Sequence, residues 1–133
     1  MSLKIKAGGS LHPTSKDTLD KGWHNIDQDG KTVFRYAVSE MSTVTREIMK
    51  RNELDNESID YLVPHQANKR IVDATTKRLD LNPSKVMMNI EYYGNTTAAT
   101  LPLLLKDYEK KLKTGDKLVF AAFGGGFSWG AAY

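Results

Sequence analysis

Three short stretches of this chain carry residues whose types suit chemistry. YLVPHQAN (61–68) ends an apolar run on His65, EYYGN (91–95) places Asn95 behind a glycine, and FGGGF (123–127) holds Gly124, Gly125 and Gly126 in a row. A neutral imidazole N–H and a carboxamide N–H can both donate to one oxygen. Two such donors, preorganised away from water, stabilise an oxyanion or enolate as it develops. A backbone N–H in the glycine loop could serve a second oxyanion. Each feature also has a plainer account. His65 could end a strand and bond a nearby carbonyl, and Asn95 could cap a helix. The glycines could form a hairpin turn needing positive φ, although three exceed what a tight turn demands. An attacking group is missing. Zero cysteines exclude disulfides, thiolate metal sites and a cysteine nucleophile within this chain.

The elements that must position these residues follow from hydrophobic periodicity. From Lys31 to Arg51, residues Val33, Phe34, Ala37, Val38, Met41, Val44, Ile48 and Met49 fall on one side of a helical wheel. Tyr61–Val63 reads as a short strand. NKRIVDATTKRLD (68–80) reads as a helix with Ile71, Val72, Thr75 and Leu79 on its apolar face, closed by Pro83. Val86–Ile90 is a third apolar run, best read as a buried strand. TTAATLPLLLKDYEKKL is a helix in which Pro102 predicts a kink or a late start. Lys117–Phe123 and Phe127–Tyr133 are strands joined by the glycines. The fold class is therefore α/β, a mixed, mostly parallel sheet covered by helices in the order α-β-α-β-α-β-β after an irregular N-terminal segment. In such sheets, loops at the carboxyl ends of strands carry ligands. His65, Asn95 and Gly124–Gly126 each follow a strand there.

Bulk properties agree with a single globular domain. The chain has 133 residues, 40% hydrophobic and 26% charged, with a net charge of +3. No aromatic-and-basic cluster supports nucleic-acid binding. No apolar run approaches the ~18 residues of a membrane span, and no signal-like segment opens the chain. The expectation is a soluble, cytoplasmic protein. Residues 1–3 read as cloning residues, 4–30 as an irregular segment in which LKIKA forms a possible edge strand, and 31–133 as the functional domain. His12, His24 and Trp23 lack metal-ligand spacing and read as solvated loop residues.

VPHQANKRI, YGNTTAATLPLLL and AFGGGFSWGAA, in that order and at these separations, resemble the C-terminal half of β-ketoacyl-acyl-carrier-protein synthase III, a condensing enzyme that starts fatty-acid elongation. The resemblance covers roughly residues 30 to 133 and implies a thiolase-like fold with a Cys-His-Asn catalytic set. By that likeness His65 and Asn95 are the catalytic histidine and asparagine, gripping the thioester carbonyl of malonyl-acyl carrier protein while carbon dioxide leaves. The resemblance assigns the Gly125 backbone N–H to the oxyanion hole, and Asn68 and Phe123 to the neighbourhood of the pantetheine arm. It assigns Arg70, Lys77 and Arg78 to docking of the acidic carrier, where periodicity alone would read a solvated helix face. It implies no cofactor or metal, only acyl-CoA and malonyl-carrier substrates. It further implies fatty-acid biosynthesis as the setting and a homodimeric parent.

The family's nucleophilic cysteine lies in an N-terminal half that this sequence does not contain. The chain is therefore expected to be a C-terminal half, inactive alone in condensation. Two other readings stay open: a non-catalytic module binding an acyl carrier or CoA thioester, and a secondary-metabolism ketosynthase.

Overall fold

A computed structural model describes residues 2–133. The chain divides into a unit ending at Tyr36 and a unit running from Ala37 to Tyr133.

In the first unit, β1 (Leu3–Ile5) pairs antiparallel with β2 (Ile26–Gln28), and the five-residue α1 (Lys16–Asp20) lies between them in sequence. Ser15 and Thr18 close α1 with a reciprocal box: Thr18 N–H donates to Ser15 Oγ at 3.2 Å and Ser15 N–H to Thr18 Oγ1 at 2.9 Å. His24 Nε2 lies 3.0 Å from that same Thr18 hydroxyl, and His12 meets the edge of Trp23. Both histidines thus have local partners. LKIKA contributes β1 and the GGSLHPT stretch stays irregular, but the rest of the segment expected to be loop is not: the Ser15–Thr18 box starts α1, and Ile26–Gln28 pairs with β1 as β2.

The helix α2 (Gly30–Arg51) crosses from one unit into the other. Its buried residues are Ala37, Met41, Ser42, Thr45 and Met49, so the buried stripe is rotated toward Ser42 and Thr45 relative to the purely apolar wheel. The hydroxyls tolerate burial because each donates to the carbonyl one turn back, Ser42 to Val38 at 2.7 Å and Thr45 to Met41 at 2.6 Å.

The sheet of the second unit has the order β3-β4-β5. β3 (Tyr61–Pro64) pairs parallel with β4 (Leu118–Gly124), which pairs antiparallel with β5 (Ser128–Ala132). Side chains alternate across it. Val63 and Phe120, partners in register, face the cluster of Met87 and Leu104, with Leu101, Tyr108 and Leu112 packed around it. Leu62 and Val119, also in register, point the other way and are fully buried. Covering both faces of β3 explains why its sequence is a run rather than an alternation.

Helix α3 (Lys69–Leu79) buries Ile71, Val72, Thr75 and Leu79 as its wheel predicts, with Thr76 added. Asn68 caps its start and Asp80, left-handed at φ 57°, ends it. Helix α5 (Thr100–Tyr108) starts late, after a 3-10 turn at Thr97–Ala99. Pro102 thereby falls in the first turn, where a missing N–H costs no intrahelical bond.

One expected strand is not formed as such. Val86 makes a single parallel bridge to Leu62, Met87 N–H donates to the Leu62 carbonyl at 3.0 Å, and by Ile90 the chain has entered α4 (Ile90–Tyr93). The physical reason lies in side chains that take over the ladder. Met88 N–H donates to the Tyr108 hydroxyl at 3.2 Å, and the N–H groups of Asn89 and Ile90 both donate to the carboxamide oxygen of Gln66, at 2.9 and 3.1 Å. With its donors satisfied this way, the segment peels off the sheet edge after one rung.

Candidate active site

Because β3 and β4 run parallel, their carboxyl ends lie at one edge of the sheet, and the residues that follow them emerge together. His65 comes directly after β3, and its N–H extends the ladder by donating to the Ala121 carbonyl at 2.8 Å. Its side chain is half-buried. Burial holds the imidazole pKa below the ordinary 6.5, partly offset by hydrogen bonding to the backbone of Thr97. At neutral pH the ring is therefore uncharged.

Asn95 comes from a different element. The short α4 is stopped by Gly94, at φ 66°, whose N–H donates back to the Ile90 carbonyl at 2.8 Å. Asn95 is exposed, and its Oδ1 accepts from Thr97 N–H at 3.0 Å. The cap position of α5 belongs to Ala99 and that of the preceding 3-10 turn to Thr96, so Asn95 makes a local turn just before them instead. With its oxygen engaged, the amide is oriented to offer Nδ2 as a donor. Thr97 has φ 52°, a left-handed conformation that is costly for a β-branched residue. Both residues thus lie against the Thr97 backbone, Asn95 through its accepted N–H and the His65 ring close enough for that backbone to act on its pKa.

The glycine loop lies beyond β4. Gly124 still pairs with Ser128, Gly125 is exposed at the tip, and Gly126 turns at φ 141°. A Cβ on Gly126 would stand 2.7 Å from Ser128 Oγ, so this glycine is required by the turn. Phe123 is 8% exposed and packs beside Phe127, with ring centroids 4.9 Å apart, and parallel to Trp129 at 6.4 Å.

Asn68, three residues after His65, spends its Oδ1 on Arg70 N–H at 2.9 Å as the cap of α3. Arg70 and Lys77 are two turns apart on the exposed side of α3, with Arg78 beside them. Lys69 is paired with Asp73 at 2.9 Å, and the Arg78 carbonyl accepts from the Arg46 guanidinium. A cleft of about 620 Å³ lined by Arg46, Lys50, Glu53, Glu57 and Leu79 contains neither His65 nor Asn95. Among the described residues, no three His, Asp or Glu side chains gather as metal ligands would. No helix among them is long and apolar enough to cross a membrane.

Sequence reading gave no role to Gln66, Asn89, Thr97 or Asp107. Gln66 and Asn89 are 1% and 3% exposed and bonded to each other, and Asn89 Nδ2 donates to Asp107 Oδ2 at 2.8 Å. The available signal was a glutamine placed directly after an apolar strand, where a buried amide must find partners.

Comparison with known proteins gives a consistent result. The family model described as "3-Oxoacyl-[acyl-carrier-protein (ACP)] synthase III C terminal" matches residues 49–133. The chain is 56% identical over 131 residues to the β-ketoacyl-[acyl-carrier-protein] synthase III 1 of Bacteroides thetaiotaomicron, covering 98% of this chain and 39% of that protein. It is similar to the crystal structure of 3-oxoacyl-(acyl carrier protein) synthase III from Pseudomonas aeruginosa PAO1, with a TM-score of 0.82 at 34% identity, covering 98% of this chain and 39% of that one. The Aquifex aeolicus VF5 synthase III structure matches with a TM-score of 0.78 at 39% identity, over 81% of this chain and 36% of that one. The chain thus spans about two fifths of the length of the relatives it matches.

Proposed function

Because the chain belongs to the 3-oxoacyl-[acyl-carrier-protein] synthase III family, we propose that it supplies His65 and Asn95 to a decarboxylative Claisen condensation between an acyl primer and malonyl-acyl carrier protein. The observation that carries this reading is that both residues lie at the Thr97 backbone, Asn95 by a hydrogen bond from its N–H and His65 with a half-buried ring beside it. It orients a carboxamide donor and an uncharged imidazole from separate loops.

The chemistry follows from where charge develops. As the malonyl C–C bond breaks, its electron pair moves into the thioester carbonyl and carbon dioxide departs, leaving an enolate. N–H donors from Asn95 Nδ2 and His65 stabilise the oxygen as it becomes negative, without needing to reorganise. A neutral imidazole carries a single N–H. In this reading that N–H sits on the nitrogen facing substrate. The enolate carbon then attacks the acyl thioester, the thiolate leaves, and the Gly125 N–H holds the transient oxyanion. Asn68 and Phe123 flank the pantetheine arm. Arg70, Lys77 and Arg78 receive the acidic carrier. The reaction takes acyl-CoA and malonyl-carrier without a cofactor, in the cytoplasm, within a homodimer.

This chain holds no cysteine, so the acyl-accepting thiolate comes from outside it. The same fact favours a second reading, a module that binds carrier or CoA thioesters without catalysis. One experiment separates them. The carboxyl-terminal part of the B. thetaiotaomicron synthase III 1 is replaced by this chain, and condensation is assayed in the chimera and in the chain alone. The proposal expects the chimera to condense acetyl-CoA with malonyl-carrier and the isolated chain to be inactive. His65→Ala and Asn95→Ala should each abolish decarboxylation while the cysteine is still acylated. A folded chimera that binds carrier without condensing would favour the binding module.

A further inference from the structure

We infer that Gln66 is a positioning residue, a buried strut that ties the loop carrying His65 to the segment leading into Asn95. The inference rests on the roles proposed above for those two residues. Gln66 is 1% exposed and its side chain bonds at both ends. Its oxygen accepts from two successive backbone N–H groups, of Asn89 at 2.9 Å and Ile90 at 3.1 Å, and its Nε2 donates to Asn89 Oδ1 at 2.6 Å. Asn89 Nδ2 passes the chain of bonds to Asp107 Oδ2 at 2.8 Å, and Tyr93 O–H reaches Asp107 Oδ1 at 3.3 Å. The network therefore joins the end of β3, both ends of α4 and the exposed side of α5.

Its placement gives it leverage over the site. His65 directly precedes Gln66, and Ile90, one of the two backbone donors, is separated from Asn95 only by the rest of α4 and Gly94. One side chain thus references both candidate donors to the same point. The chemistry also restricts what can stand at 66. Two N–H groups demand an acceptor and the Asn89 oxygen demands a donor, so an apolar residue would leave three polar groups unpaired, two of them buried. A carboxylate would set oxygen against oxygen. A protonated carboxyl, by contrast, reproduces both halves of the amide.

The test uses the chimera with Gln66→Met, Gln66→Glu, His65→Ala and a control, Val72→Ala, which trims a buried α3 residue outside the site. Gln66→Met should lower kcat for malonyl-carrier decarboxylation by roughly 100-fold, the cost of displacing donors by about 1 Å. KM should stay within about twofold and the cysteine should acylate at the parental rate. In Gln66→Glu the ratio of variant to parental kcat should rise as pH falls, as the carboxyl gains its proton. Val72→Ala should lose thermal stability with kcat unchanged. If Gln66→Met keeps its kcat, or loses it no more than Val72→Ala at matched stability, the inference is overturned. Where Gln66→Met fails to fold, a pH-independent ratio in Gln66→Glu overturns it equally. His65→Ala distinguishes the two levels. Full decarboxylation there removes the site reading and the strut together, whereas loss there with normal Gln66 variants removes the strut alone.

Discussion

The carboxamide oxygen of Asn95 accepts the N–H of Thr97 at 3.0 Å, two residues further along the chain. The half-buried His65 ring lies beside the same Thr97 backbone, which adopts φ 52°, where a threonine is strained. A strained residue that two candidate donors share is held by the surroundings rather than by its own preference. Thr97→Gly should therefore separate stability from function. Glycine relieves the left-handed strain but loosens the loop, so unfolding free energy should stay within about 1 kcal/mol of the parent. The decarboxylation rate of the chimera should fall roughly tenfold or more as the donors lose their alignment. Urea denaturation and a carbon dioxide release assay on the same preparations check both halves.

The direction of the His65 shift sets a pH dependence. Burial lowers its folded pKa below 6.5, so between those two values the unfolded chain binds more protons than the folded one. Stability from this group is fully present above about pH 6.5 and is lost as pH falls through the folded pKa. Decarboxylation, which needs the uncharged ring, should show an acid limb with its midpoint below 6.5 rather than at or above it. Replacing His65 with Gln should flatten the stability profile in that window. A limb centred above 6.5 would mean that a nearby negative charge, not burial, dominates the imidazole.

Helices α2 and α3, strands β3 to β5 and the late start of α5 were readable because each rests on a local rule: a 3.6-residue stripe, a short apolar run, a glycine turn, or a proline that cannot donate. Val86–Ile90 misled for the same reason. Its composition is that of a strand, but Tyr108 and Gln66 bond its N–H groups from distant positions, and no window around residue 88 contains them. The site shows the same division. His65, Asn95 and the glycines stand out by type, whereas Thr97 and Gln66 matter through contacts that only folding creates. Ser42 and Thr45 lie inside α2 for a related reason, since their hydroxyls bond the helix's own carbonyls.

The carrier patch is testable by charge reversal. Arg70 and Lys77 share one exposed face of α3, and Asp73 nearby is occupied by Lys69. In the chimera, Arg70→Glu with Lys77→Glu should reduce kcat/KM for malonyl-carrier by about tenfold or more, mainly through KM. Decarboxylation of malonyl-CoA should be unchanged, because that substrate reaches His65 and Asn95 without docking a protein. Raising ionic strength from about 0.05 to about 0.5 M should weaken the parental use of malonyl-carrier and leave the double variant nearly flat. Equal loss on both substrates would assign these residues to the catalytic fold rather than to docking.

The Tyr108 hydroxyl is the acceptor that releases the Val86–Ile90 segment from the sheet edge, receiving Met88 N–H at 3.2 Å. Its ring has separate work, edge-on to Tyr61 at 6.0 Å and beneath Lys111 Nζ at 4.6 Å. Tyr108→Phe keeps the ring and deletes the acceptor, leaving the Met88 N–H without its partner. The expected cost is about 1 kcal/mol, seen as a lower urea midpoint at unchanged slope. Tyr108→Ala removes the ring from the cluster around Val63, Met87 and Leu104 as well, and should cost roughly 3–5 kcal/mol. The smaller variant is the more informative. Met88 immediately precedes Asn89, so loss of its anchor should raise amide exchange at Met88 and Asn89 while β3 and β4 stay protected. Uniform exchange across the sheet would show that this hydroxyl holds the whole unit and not the segment alone.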